Sequence, residues 1–147
     1  MTTMKLLFVV VIRLIDAIWQ KMNNRTIEIT SRFEKSWSDT EKIFDMLLEN
    51  GFERLFPVRQ FIIELKEKGE NQNFRIGTSM YRLIFSRSIE HGLRDDQKQL
   101  MIDTLDKNDY QIVLRDGFKK YREYRIIDLN DIKLTKLLET LKGTLVD

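Results

Sequence analysis

The chain of 147 residues contains no cysteine, a single histidine and a single proline. The missing cysteines exclude disulfides, thiolate catalysis and zinc or iron–sulfur sites built on thiolates. One histidine, His91, leaves little imidazole for metal binding or acid–base chemistry. With six glycines and one proline, a flexible or proline-rich linker is not expected. We therefore expect a cytoplasmic protein without a cofactor, and we do not expect an enzyme.

Neither sign of charge dominates the composition. Lysine and arginine total 25 and aspartate and glutamate total 23, so the net charge is only +2. Nucleic-acid binding therefore has to rest on a local cluster of cations rather than on the charge of the whole molecule. An apolar content of 42% and a charged content of 33% are typical of a soluble globular domain, and the length predicts one domain over residues 25–147.

Residues 1–24 differ from the remainder because they contain the longest apolar run, Leu6 to Ile12. This run is too short to span a bilayer, and Arg13 and Asp16 interrupt its continuation. No small-residue cleavage site follows it, as a secretory signal would require. Three interpretations stay open: an amphipathic helix packed on the domain or on a membrane surface, a weak targeting segment, or an extension that precedes a natural start at Met22.

The next stretch predicts one strand and two helices. Alternation of apolar and polar residues over Thr26–Phe33 predicts a first strand at a sheet edge. Ser38 and Glu41 have the spacing of a capping box, which predicts a helix from Asp39 to about Glu49. Pro57 suits the first turn of a second helix, which should end near Gly69.

Residues 80–127 have the alternation of an antiparallel meander, with strands near 81–86, 98–105, 110–115 and 118–127. We expect residues 74–76 to begin another strand and residues 77–79 to interrupt it as a bulge or a break before the meander. Asp116-Gly117 predicts a type I′ hairpin, because that turn needs positive φ at both central residues.

A last helix should begin at Asn130 or Asp131 and end near Lys142, with its leucines on one face. The whole pattern predicts an α+β fold of two layers, in the order β-α-α-β-β-β-β-α, with helices on one face of a mostly antiparallel sheet.

The predicted hairpin is rich in cations interleaved with aromatic residues, which suits contacts with phosphates and stacked bases. Strand alternation places Lys120, Arg122 and Tyr124 on one face and Lys119, Tyr121 and Arg125 on the other, which splits the charge unless a bulge intervenes. The candidate DNA- or RNA-binding residues are Arg115, Lys119, Lys120, Tyr121, Arg122, Tyr124 and Arg125.

The connection at residues 86–97 is the second candidate site, because it is longer than a hairpin needs and it contains the one histidine. Histidine and carboxylates could hold Mg²⁺ or Mn²⁺ for hydrolysis, although their spacing matches no metal motif. The alternative is a solvated loop. The candidate residues are Arg87, Glu90, His91, Arg94, Asp95 and Asp96.

Three functions follow in order of preference. The first is a small binding protein that acts through contact with another protein, as an inhibitor, immunity protein or adaptor. The second is a nucleic-acid-binding protein that uses the basic hairpin, and the third is a metal-dependent hydrolase that uses the loop at 90–96. A homodimer through the strand at 26–33 or through the C-terminal leucines is also possible, and no membrane span is expected.

Overall fold

The computed structural model of this chain describes residues 2–90 and 96–146. It contains three helices, two 3-10 turns and one five-stranded antiparallel sheet, and so confirms the predicted α+β class. The elements are α1 (Thr2–Glu49), the 3-10 turns Glu53–Leu55 and Glu70–Gln72, α2 (Phe56–Glu67), β1 (Arg75–Ser79), β2 (Arg82–Ser86), β3 (Lys98–Asp106), β4 (Asp109–Asp116), β5 (Lys119–Ile126) and α3 (Ile132–Lys142).

Helix α1 is 48 residues long, and it corrects two predictions. The strand predicted over Thr26–Phe33 is helical, and Ser38 lies in the middle of the helix rather than at its cap. The strand prediction failed because the apolar–polar alternation over residues 26–33 rests on few apolar residues. Two of them, Ile29 and Phe33, also have the i, i+4 spacing of a helix. In the helix Phe33 is buried, whereas Ile27 is 65% exposed.

Apart from the start of α1, the ends of the helices lie where the sequence predicted them. Helix α1 ends before Gly51, whose φ of 91° is the left-handed conformation that glycine adopts readily. Pro57 lies in the first turn of α2, and Gly69 follows that helix with φ 82°. Asp131 caps α3, since its side chain accepts a hydrogen bond from the Lys133 amide at 2.9 Å.

The five strands follow one another in the sheet in sequence order, which is the predicted meander with one strand before it. Residues 77–79 pair regularly with β2, so the bulge predicted there is wrong. Register shifts lie instead between Thr104 and Asp106 of β3 and in β5, where Arg115 pairs with Lys120 but Leu114 pairs with Arg122. Tyr121 is therefore the extra residue of a bulge.

The hairpin between β4 and β5 is confirmed, although its turn is one residue away from the predicted position. Asp116 pairs with Lys119, so Gly117 and Phe118 form the two-residue loop. Only Gly117 of these two has positive φ, at 63°. The predicted type I′ turn is therefore wrong, and glycine at the first central position is what a type II′ turn requires.

The core lies between one face of the sheet and the three helices. Helix α1 contributes to it only from Phe33 onward, where Trp37 and Phe44 are fully buried. The leucine face of α3 is buried in the same core, so it is not available as a dimer surface. The other suggested dimer surface, an edge strand at 26–33, does not exist because that segment is helical.

Candidate functional site

The bulge at Tyr121 changes which cations of the hairpin share a face. Residues paired across an antiparallel ladder lie on the same face, so Lys120 lies with Arg115 on the side away from the helices. Arg122 pairs with Leu114 and lies on the helix side, at the end of the sheet. The expected grouping of Lys120 with Arg122 is therefore wrong, and the positive charge is divided in a different way.

Two of these cations have acidic partners within the chain. Arg125 donates to Asp109 through two hydrogen bonds, at 2.8 and 2.6 Å, and this pairing lowers the pKa of Asp109 and raises that of Arg125. Lys120 lies 3.4 Å from a Glu123 carboxylate oxygen, and the Gln111 amide donates to the same carboxylate. Paired in this way, these two cations add less positive charge to the surface than unpaired ones would.

The aromatic residues of the hairpin also have cationic neighbours within the chain. The Arg122 guanidinium lies 5.2 Å from the centre of the Tyr121 ring, and Lys133 from α3 lies 5.6 Å from that of Tyr124. Arg115 is half-buried and Lys119 is exposed. The described geometry thus offers a smaller basic surface than the sequence suggested, and binding of DNA or RNA there stays a prediction.

The second candidate, the connection at 86–97, is described only at its two ends. His91, Arg94 and Asp95 lie outside the described residues, whereas Arg87, Glu90 and Asp96 lie within them. Within residues 2–90 and 96–146, no three or more histidine or acidic side chains come together as a metal would need. The proposed metal site depends on His91 and Asp95, which lie outside the described residues, so it stays a prediction.

Arg87 has a structural contact that the sequence did not reveal. Its Nη1 donates to the Asn73 carbonyl at 2.7 Å, and burial lowers its pKa. Arg75 makes a matching contact, donating to the Ile89 carbonyl at 2.5 Å; burial, and next the charge of Arg32, lower its pKa. These two arginines hold residues 87–89 against the start of β1.

The most unusual surface of the molecule is the N-terminal part of α1. Every side chain from residue 3 to residue 28 is exposed, and we call these residues the arm; partial burial begins at Ile29. Ten apolar residues, between 41% and 78% exposed, form what we call the arm face: Met4, Leu7, Phe8, Val11, Ile12, Leu14, Ile15, Ile18, Trp19 and Met22.

The arm face is a continuous arc of the helix. At 3.6 residues per turn its ten members fall within about 160° of the circumference, a width typical of a helix that packs on another surface. Lys5, Arg13, Asp16 and Gln20 lie outside that arc. The exposed apolar residues Leu6, Val9 and Val10 also lie outside it. The amphipathic helix among the alternatives of the sequence analysis is thus present as a helix, although it does not pack on its own domain.

No helix among the described residues is both long enough and apolar enough to cross a membrane.

Comparisons of the chain with models of known protein families, with curated proteins and with solved structures found no match. Function must therefore be argued from the surfaces described above.

Proposed function

We propose that the protein acts by binding another protein chain and that the arm face is its contact surface. The observation that supports this proposal is the exposure of all ten apolar residues of the arm face. Monomeric proteins rarely leave contiguous apolar patches above a few hundred Å² in water, and larger patches mark interaction sites.

The form of the arm supports recognition by side-chain packing. A helix that presents apolar residues at i, i+3, i+4 and i+7 is one of the recurring ways in which proteins bind one another. Phe8, Val11, Ile12 and Ile15 have this spacing. The large residues Phe8 and Trp19, exposed by 66% and 65%, are of the types that dominate contact energies.

A photo-crosslinking residue placed on each side of the arm tests this proposal. In the full chain, produced in cells, we expect a photo-reactive amino acid at Ile15 to form adducts with protein. The same residue at Gln20, about 140° away around the helix, is the matched control and should form few. Adducts with lipid alone, or equal protein yields at both positions, would contradict the proposed function.

A further inference from the structure

The arm face and the domain lie on the same side of α1. Eighteen residues are five turns of an α-helix, so residues eighteen apart lie on one line along it. By this measure Ile15 is aligned with Phe33 and Trp19 with Trp37. The second member of each pair is buried in the domain, at 1% and 0% exposure, whereas the first is exposed.

This alignment restricts what can cover the arm. A flat bilayer in contact with the whole arm face would meet the domain, which projects from the same side of the helix from Phe33 onward. In a parallel pair with the two arm faces in contact, both domains would project into the space between the two helices at the same level and would collide. A second copy lying antiparallel meets neither obstacle, because the two domains then lie at opposite ends.

We infer that the arm is covered by the arm of a second copy of this chain, in an antiparallel pair of helices. This inference rests on the proposed function and names the partner. Met4, Phe8, Val11, Ile15, Ile18 and Met22 are spaced alternately by four and three residues, which is the seam spacing of a coiled coil.

In one antiparallel register every seam residue of one copy lies opposite a seam residue of the other. If paired residue numbers sum to 26, Met4 lies opposite Met22 of the second copy, Phe8 opposite its Ile18 and Val11 opposite its Ile15. Each layer then combines two apolar residues. The helix of the second copy starts at Thr2, and in this register that end lies opposite residue 24 of the first copy. This is about 13 Å before Phe33 at 1.5 Å per residue, so the second helix stops short of the first domain.

Charges at the edges of the seam agree with the same register. In this register Lys5 is level with Lys21 of the second copy, but the two lysines lie on opposite edges of the arm face and so do not meet. Lys5 would instead lie beside Trp19 of the second copy, where a cation can contact the indole ring. Arg13 and Asp16 remain on the outer side, in water.

The area is sufficient for a stable pair. A standard interface buries about 800 Å² on each partner, and ten large apolar side chains, more than 40% exposed along the arm, supply an area of that order. The apolar arc is also wider than the narrow seam of a two-stranded coiled coil, so the flanking residues Leu7, Ile12 and Leu14 add to the contact.

Solution mass measured by light scattering tests the pairing in the purified full chain. We expect twice the chain mass of 17.7 kDa. The double variant Val11→Glu/Ile15→Glu should weaken association by about a hundredfold or more, because it buries carboxylates without partners. Gln20→Glu adds a charge on the outer side and is the matched control. Since the arm contributes nothing to the core, hydrogen exchange of β3 and β4 amides should be unchanged in both variants.

Cysteines test the orientation, without background because the natural chain has none. Met4→Cys/Met22→Cys should form disulfide-linked dimers under mild oxidation. Met4→Cys alone should not, because its equivalents would lie about 27 Å apart along an antiparallel pair.

Three results would overturn the inference. They are a monomeric full chain, dimers linked by Met4→Cys alone, and an arm that binds only lipid vesicles. If the chain is monomeric and photo-adducts at Ile15 contain a different protein, the second copy is wrong while the proposed function stands.

Discussion

Two tryptophans eighteen residues apart on one helix have opposite environments. Trp37 is fully buried, its indole N–H donates to the Phe74 carbonyl at 2.8 Å, and its ring contacts Phe85 edge to face at 6.2 Å. Beside it the Ser36 hydroxyl accepts from the Ile76 amide at 3.1 Å. These contacts join α1 to the start of the sheet. Trp19 is 65% exposed.

Substitution of each tryptophan should change the stability of the domain by a different amount. Trp37→Phe removes a buried donor and leaves the Phe74 carbonyl without its partner, so we expect a loss of about 2 kcal/mol in unfolding free energy. Hydrogen exchange of β3 and β4 amides measures this loss in the domain itself. Trp19→Phe, the matched control, should leave the exchange within about 0.5 kcal/mol. Equal losses would show that the arm packs on the domain.

At the scale of elements, α1 has two parts that differ in what stabilises them. Residues 33–49 are stabilised by packing on the sheet and on α2, where Arg59 binds Asp45 at 2.7 Å and Lys66 binds Glu41 at 3.1 Å. The arm has no such contacts among the described residues and depends on helix propensity until a partner binds. The same helix therefore contains a structural part and a binding part.

A proline in each part of α1 tests this division. Lys42 and Ala17 are both exposed positions in helix interiors. Lys42→Pro should destabilise the domain by about 3 kcal/mol or more, since it breaks a packed helix. Ala17→Pro should lower helical ellipticity and leave the exchange protection of β3 and β4 unchanged. Protection lost to the same extent in both variants would contradict the division.

At the scale of the whole molecule, a compact α+β domain is joined to a long helical projection. Helix α1, at 48 residues and 1.5 Å per residue, is about 72 Å long, and more than half of it extends beyond the domain. The charge of the molecule is nearly balanced at +2, so the exposed apolar surface of the arm, more than the overall charge, distinguishes this chain.

Small-angle X-ray scattering of the full chain should show this arrangement in solution. In the antiparallel register the two domains lie at opposite ends of the paired arms, with centres roughly 80 Å apart at 1.5 Å per residue. We therefore expect a pair-distance distribution with two maxima. A single maximum at dimer mass would require the domains to be adjacent, which is the parallel arrangement or a contact through the domain.

Sequence alone was sufficient where the determining interactions are local. The meander over 80–127, the helix starts at Pro57 and Asp131 and the hairpin near Gly117 follow from period-two alternation, capping and glycine, all of which act within a few residues, although the exact position and type of the turn did not. The presence of an α+β fold with helices on one face followed from these elements.

Tertiary structure decided the features that depend on distant residues. The stretch 26–33 is helical because its continuation is anchored by Trp37 and Phe44 in the core, a contact that the pattern of these eight residues cannot encode. The bulge at Tyr121 changed which cations of the hairpin share a face of the sheet. The pairing of Arg125 with Asp109, sixteen residues away, gave one of those cations an acidic partner. The alignment of the arm face with the domain likewise appears only because α1 is one unbroken helix. In such a helix the number of residues between two positions fixes whether their side chains lie on the same side.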